Sequence, residues 1–220
     1  GLGWRGNWRN IGAPRMDLRF DGAMKSLATE ASLNFHLDRK GADLNPLLTA
    51  YDPGMKSMEI RSDVRLKGRV GFNACGLFGS AGLTVENLSF DEREIGLAGR
   101  DVSLHLELSD LFAPRSRPAQ KLSFGKISMG EVVLEQGRAL FQVEPGGDLL
   151  VEKATFNWCG GGVHSESFRF RPDMEDLDVV LYCDRIQLAQ ILEQLGAGRS
   201  EGGGALNGRI PVHYQRGKWT

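Results

Sequence analysis

The sequence predicts a mainly-β protein: a long twisted antiparallel sheet, open or sandwich-like, with one short amphipathic helix near the C terminus. Three observations carry this expectation. Apolar residues alternate with polar ones in run after run, the period of strands with one buried face. Turn signals separate these runs at spacings that favour antiparallel meanders over crossover connections. Glycine supplies 29 of 220 residues, well above the usual ~7%, and without a collagen period. Glycine at that level marks turns, bulges and close backbone approaches, many of them at strand ends.

The first clear run is Ala31, Leu33, Phe35 and Leu37. Asp43 to Tyr51 then forms a weak helix candidate, with Leu44, Leu47 and Leu48 on one face and Pro46 acceptable only in a first turn. After the reversal signal Asp52-Pro53-Gly54 come Val64-Leu66, Val70-Phe72 and Leu83-Val85. Between Asp101 and Ser109, Val102, Leu104, Leu106 and Leu108 alternate with Ser103, His105 and Glu107, which makes a half-buried strand. Residues 113–118 carry two prolines and two arginines without periodicity. They read as a loop or linker between a β-rich segment, 1–112, belonging to the same elongated sheet, and a second β segment, 119–220.

Within that second segment, Glu135-Gln136-Gly137-Arg138, Pro145-Gly146-Gly147-Asp148 and Arg171-Pro172-Asp173 read as reversals. Phe168-Phe170 and Leu177-Val179-Leu181-Cys183 read as strands. Asp184 is placed to cap a helix over 185–195, with Ile186, Ala189, Ile191, Leu192 and Leu195 on its apolar face and Gly196 as its stop. A meander with one apolar face must cover it with a second sheet, by closing into a barrel, or with a bound apolar ligand. Alternation alone does not choose.

Charge excludes some partners. With 27 Lys+Arg against 28 Asp+Glu, no basic field points to nucleic acid, and no acidic excess points to disorder. Gly1-Leu2-Gly3-Trp4-Arg5-Gly6 fits a dinucleotide fingerprint literally but lacks the strand before it and the helix after it. His36, His105, His164 and His213 are scattered, and the first two fall on the polar side of their strands. Asp173, Glu175, Asp176 and Asp178 lack the spacing of a calcium loop. Cys75, Cys159 and Cys183 contain no C-x-x-C pair; Cys159 and Cys183 close strand-like segments, and pairing between them in an oxidising compartment is a minor reading. No catalysis, metal or cofactor is expected. The chain starts without Met and ends in an extended segment, which reads as a piece of a longer protein.

The most distinctive string runs from Leu181-Tyr182-Cys183-Asp184-Arg185-Ile186-Gln187-Leu188-Ala189-Gln190-Ile191-Leu192-Glu193-Gln194-Leu195 through Gly202 to Asn207-Gly208-Arg209-Ile210-Pro211-Val212. It resembles the C-terminal region of the YdbH-like family, also labelled a dicarboxylate-transport domain, within the AsmA/TamB-like group of bacterial envelope proteins. Leu122 to Gly130, Gly137-Arg138 and Leu149 to Ala154 look like the preceding strands, so the resemblance covers about 119–220. It implies a periplasmic segment of a bridge-like carrier in a Gram-negative bacterium, held to the inner membrane by an anchor outside these residues. Phospholipid acyl chains would travel along an open, U-shaped apolar β-groove toward the outer membrane, with an outer-membrane lipoprotein as a further partner. On this implication the groove lining is Val102, Leu104, Leu106, Leu108, Leu177, Val179 and Leu181. The alternative is a non-catalytic β-sandwich module binding glycans through Trp4, Trp8, Trp158 or Trp219.

Overall fold

The computed structural model describes residues 2–9, 17–26, 30–51, 56–171, 176–194, 203–215 and 218–219. Its strands are β1 (Leu2–Arg9), β2 (Asp17–Ser26), β3 (Glu30–Asp43), β4 (Met58–Asn73), β5 (Gly76–Glu92), β6 (Leu97–Asp110), β7 (Arg115–Ser116) and β8 (Gln120–Met129). They continue as β9 (Val132–Val143), β10 (Leu149–Trp158), β11 (Gly161–Ser165), β12 (Phe168–Phe170), β13 (Asp176–Gln187), β14 (Ala205–Gln215) and β15 (Lys218–Trp219). The helices are α1 (Asn45–Tyr51) and α2 (Leu188–Gln194).

All strands join one 15-stranded sheet in the order β1-β2-β3-β4-β5-β6-β8-β9-β10-β11-β13-β14-β15, with β7 attached to β6 and β12 to β10. Every pairing is antiparallel. Apart from the short β7 and β12, consecutive strands lie side by side, as the meander reading expects. Among the described residues no second sheet stands over this one, and β1 does not pair with β15. The sheet is open. The segment at 113–118 does not interrupt it, because Leu104 of β6 pairs directly with Leu122 of β8. Asp110 shapes the bend before that segment: its Oδ1 accepts the N–H groups of Ala113 and Phe112 at 3.1 and 2.9 Å. Those two donors hold its carboxyl below the usual carboxylate range.

Three local expectations need correction. Glu135-Gln136-Gly137-Arg138 is not a reversal but lies inside β9. Gln136 takes a left-handed φ of 52°, which bulges the strand without ending it. Asp184 does not cap a helix, and the helix does not begin at 185. Arg185, with φ 56°, bulges β13 so that pairing resumes between Ile186 and Leu206, and α2 starts only at Leu188. Ile186 is therefore a strand residue, at 1% exposure the most buried hydrophobic side chain among the described residues. α1 begins two residues after Asp43, whose Oδ1 accepts the Asn45 N–H at 3.0 Å. Asp52-Pro53-Gly54, Pro172-Asp173 and Leu195-Gly196 lie outside the described residues.

Burial is sparse for a chain this long. The accessible surface is 14598 Å², whereas a compact monomer of 24.2 kDa exposes about 10,000 Å². The excess is what one sheet with an uncovered face should show.

Candidate functional site

Residues paired directly across strands share a face, so the register shows where the apolar positions meet. Leu18, Leu37, Leu66, Leu83 and Leu106 follow one another across β2 to β6. Leu104 then meets Leu122, Leu122 meets Ala139, and Ala139 meets Ala154. From there Phe156 faces Val163, Val163 faces Cys183, and Leu181 faces Ile210. One largely apolar face runs from β1 to β14, with Ser62, Gln120 and Ser165 as buried polar positions on it. On the other face lie Arg65 with Glu86, Thr84 with His105, His164 stacked on Tyr182, and Asp178 with His213. These exposed polar pairs contribute little to stability.

The candidate lining residues all fall on the apolar face. Val102, Leu104, Leu106 and Leu108 pair with Leu88, Val85, Leu83 and Ala81 of β5. Leu177, Val179 and Leu181 pair with Tyr214, Val212 and Ile210 of β14. Four strands separate the two groups, about 24 Å at ~4.8 Å per strand, so they are two patches of one face. The residues between them were missed. Bulges between Val151 and Lys153 and between Thr155 and Asn157 disturb the alternation along β10, so its apolar residues leave no clean period in the sequence.

Glycines shape this face as much as the apolar side chains do. Gly22 lies under Trp4, Gly6 under Phe20, Gly68 under Phe35, Gly99 under Phe90 and Gly137 under Phe124. Each is also the cross-strand partner of its ring. A Cβ at any of the five would collide with ring atoms, as at Gly6, where it would stand 2.6 Å from Phe20 Cζ. None of the five has a positive φ. They serve close approach, not backbone reversal.

Two helices pack against the sheet, α1 on β4 and α2 on β13, and α2 covers a buried cluster. Cys159, Val163 and Ile186 form a buried cluster at 4%, 3% and 1% exposure, with Ile191 of α2 packed against it beside Phe156, Trp158, Leu181 and Cys183. Gln194 at the end of α2 pins this arrangement: its Oε1 accepts the Trp158 Nε1–H at 3.1 Å and the Val133 N–H at 3.3 Å. Cys159 and Cys183 are free thiols within this cluster, and burial pushes both thiol pKa values up. An open face encloses no cavity. One depression the surface does form, of about 540 Å³, is lined mainly by polar-face groups such as Asn34, Lys67, Arg69, Ser80 and Glu107.

A family model described as YdbH-like, intermembrane phospholipid transport protein YdbH, matches residues 14–220. The chain belongs to the YdbH-like family. The match reaches far beyond the C-terminal strings that carry the resemblance and takes in the β2 to β6 part of the sheet. No curated protein and no solved structure matches the chain. A YdbH-like chain thus presents one continuous, largely uncovered apolar face. Among the described residues it has no group of three side chains able to hold a metal, and no helix long and apolar enough to cross a membrane. The glycan reading is not favoured: seven strands separate Trp4 from Trp158, and the Trp158 N–H is engaged by Gln194.

Proposed function

We propose that this segment conducts phospholipid between the inner and outer membranes, its acyl chains lying on the apolar face of the sheet while the polar face meets the periplasm. The single observation that carries the reading is the largely apolar face from β1 to β14 on a sheet with no second layer over it among the described residues. An open apolar face in water is unfavourable by about 25 kcal/mol per 1,000 Å², and each methylene that leaves water for it contributes ~0.8 kcal/mol. Lipid supplies those methylenes. Because neighbouring positions along the face are alike, a chain shifting from one strand to the next exchanges similar contacts and meets no large barrier. No bond is made or broken, so the segment needs no nucleophile or cofactor. Leu104, Val102, Leu106 and Leu108 form one contact patch and Leu177, Val179 and Leu181 another. An anchor in the inner membrane and an outer-membrane lipoprotein partner complete the proposed path.

Photoreactive residues test this. Placed at Leu104 or Val179 in cells, they should crosslink to phospholipid, while the same group at His105 on the opposite face should not. Equal yields from the two faces, or none from either, would overturn the reading.

A further inference from the structure

We infer that the aromatic–glycine pairs keep the transport path low: the glycines let the rings lie down, and this clearance makes them positioning residues for lipid movement. The inference rests on the transport reading above.

Glycine inside a strand weakens it, and these glycines do not supply the backbone freedom that usually justifies the residue. What they supply is room. A side chain standing off a sheet takes up about half of the ~10 Å between packed sheets. A ring laid on its neighbour's backbone adds only about 3.5 Å, the separation of carbon atoms in contact. At Gly137 the three atoms nearest a Cβ all belong to the Phe124 ring, Cδ1 at 2.6 Å, so any larger residue must lift that ring into the path. At Gly68 a Cβ would meet the Phe35 ring and also the Ser80 carbonyl oxygen at 2.6 Å, so there the neighbouring backbone is crowded as well.

Placement separates this role from general sheet support. The pairs lie between β1 and β9, outside the cluster that α2 covers, and all share the apolar face. Under α2 the glycine serves otherwise: a Cβ at Gly161 would meet backbone atoms of Asp184 and Ile186, not a ring. A comparable ring on the polar face, Phe78 over Gly71, is covered by the Arg69 guanidinium at 5.4 Å.

The test uses the Leu104 photocrosslink to phospholipid, read beside the thermal melt. Gly68→Ala and Gly137→Ala should each lower the lipid adduct severalfold while the melt stays cooperative. Gly137→Ala combined with Phe124→Leu, which removes the lifted ring, should restore the adduct, because a Cβ there meets ring atoms alone. Should Gly137→Ala also weaken the fold, the double variant still decides: recovery of the adduct supports a clearance role, and failure to recover overturns it. An unchanged adduct in both single variants overturns the inference and leaves the transport reading standing. Absence of adduct in the unsubstituted chain defeats the transport reading itself.

Discussion

The same alternation of apolar and polar residues produces two different environments in this chain. On β5 and β6, Leu83, Leu104, Leu106 and Leu108 face one way and remain half-buried. On β11 and β13, Val163 and Ile186 face the same way and are nearly inaccessible, because α2 folds over them. The difference teaches that period-two patterning fixes which face is apolar, while burial depends on what is laid across that face. One patch is covered by the chain's own helix. The other is left for something else, which the proposed function takes to be lipid.

Deleting methylenes should expose the contrast most strongly. Ile186→Ala, in the covered cluster, should cost on the order of 3 kcal/mol in denaturant unfolding. Leu106→Ala, on the open stretch, should cost well under half of that in lipid-free protein, since little packing is lost. Equal losses would mean the two regions are covered alike. Next in size is the latch. Gln194→Ala leaves the Trp158 and Val133 N–H groups without their acceptor, and should lower stability by about 1–2 kcal/mol. Hydrogen exchange should then quicken in α2 and at Val133 but not in β5 and β6.

Ser62 sharpens the comparison from the other side. It stands on the apolar face with its hydroxyl buried and without a hydrogen-bond partner. Ser62→Ala should therefore be neutral or stabilising by up to about 1 kcal/mol, read as a higher denaturant midpoint. Thiol chemistry gives the gentlest probe. Cys75 is exposed at the β4–β5 turn, whereas Cys159 and Cys183 lie in the covered cluster with pKa values raised by burial. A raised thiol pKa keeps the unreactive protonated form to higher pH, so maleimide at pH 7–8 should label Cys75 first. Gln194→Ala should speed labelling of the other two.

Much of this fold was legible because its strands are regular where the reading was made. Val102 to Leu108 contains no bulge, so its alternation survives in the sequence and in the sheet alike. The helix bounds were not legible, because Ile186 is drawn into β13 by pairing with Leu206, a partner twenty residues on. Glu135 to Arg138 looks like a turn for a related reason: a bulge residue followed by glycine has turn composition, and only the long strands on either side reveal that the chain goes straight on. The glycine count was correctly tied to close approaches, yet nothing beside Gly68 in the sequence announces Phe35. Register brings them together, and register is a property of the whole meander.

Native mass spectrometry of the chain released gently from cells addresses the central claim most directly. An uncovered apolar face should be occupied, so the account predicts a monomer carrying phospholipid, with Leu104→Asp and Leu106→Asp together stripping the lipid while the sheet remains folded. A lipid-free monomer, or a lipid-free dimer in which two copies cover each other's apolar faces, would contradict it.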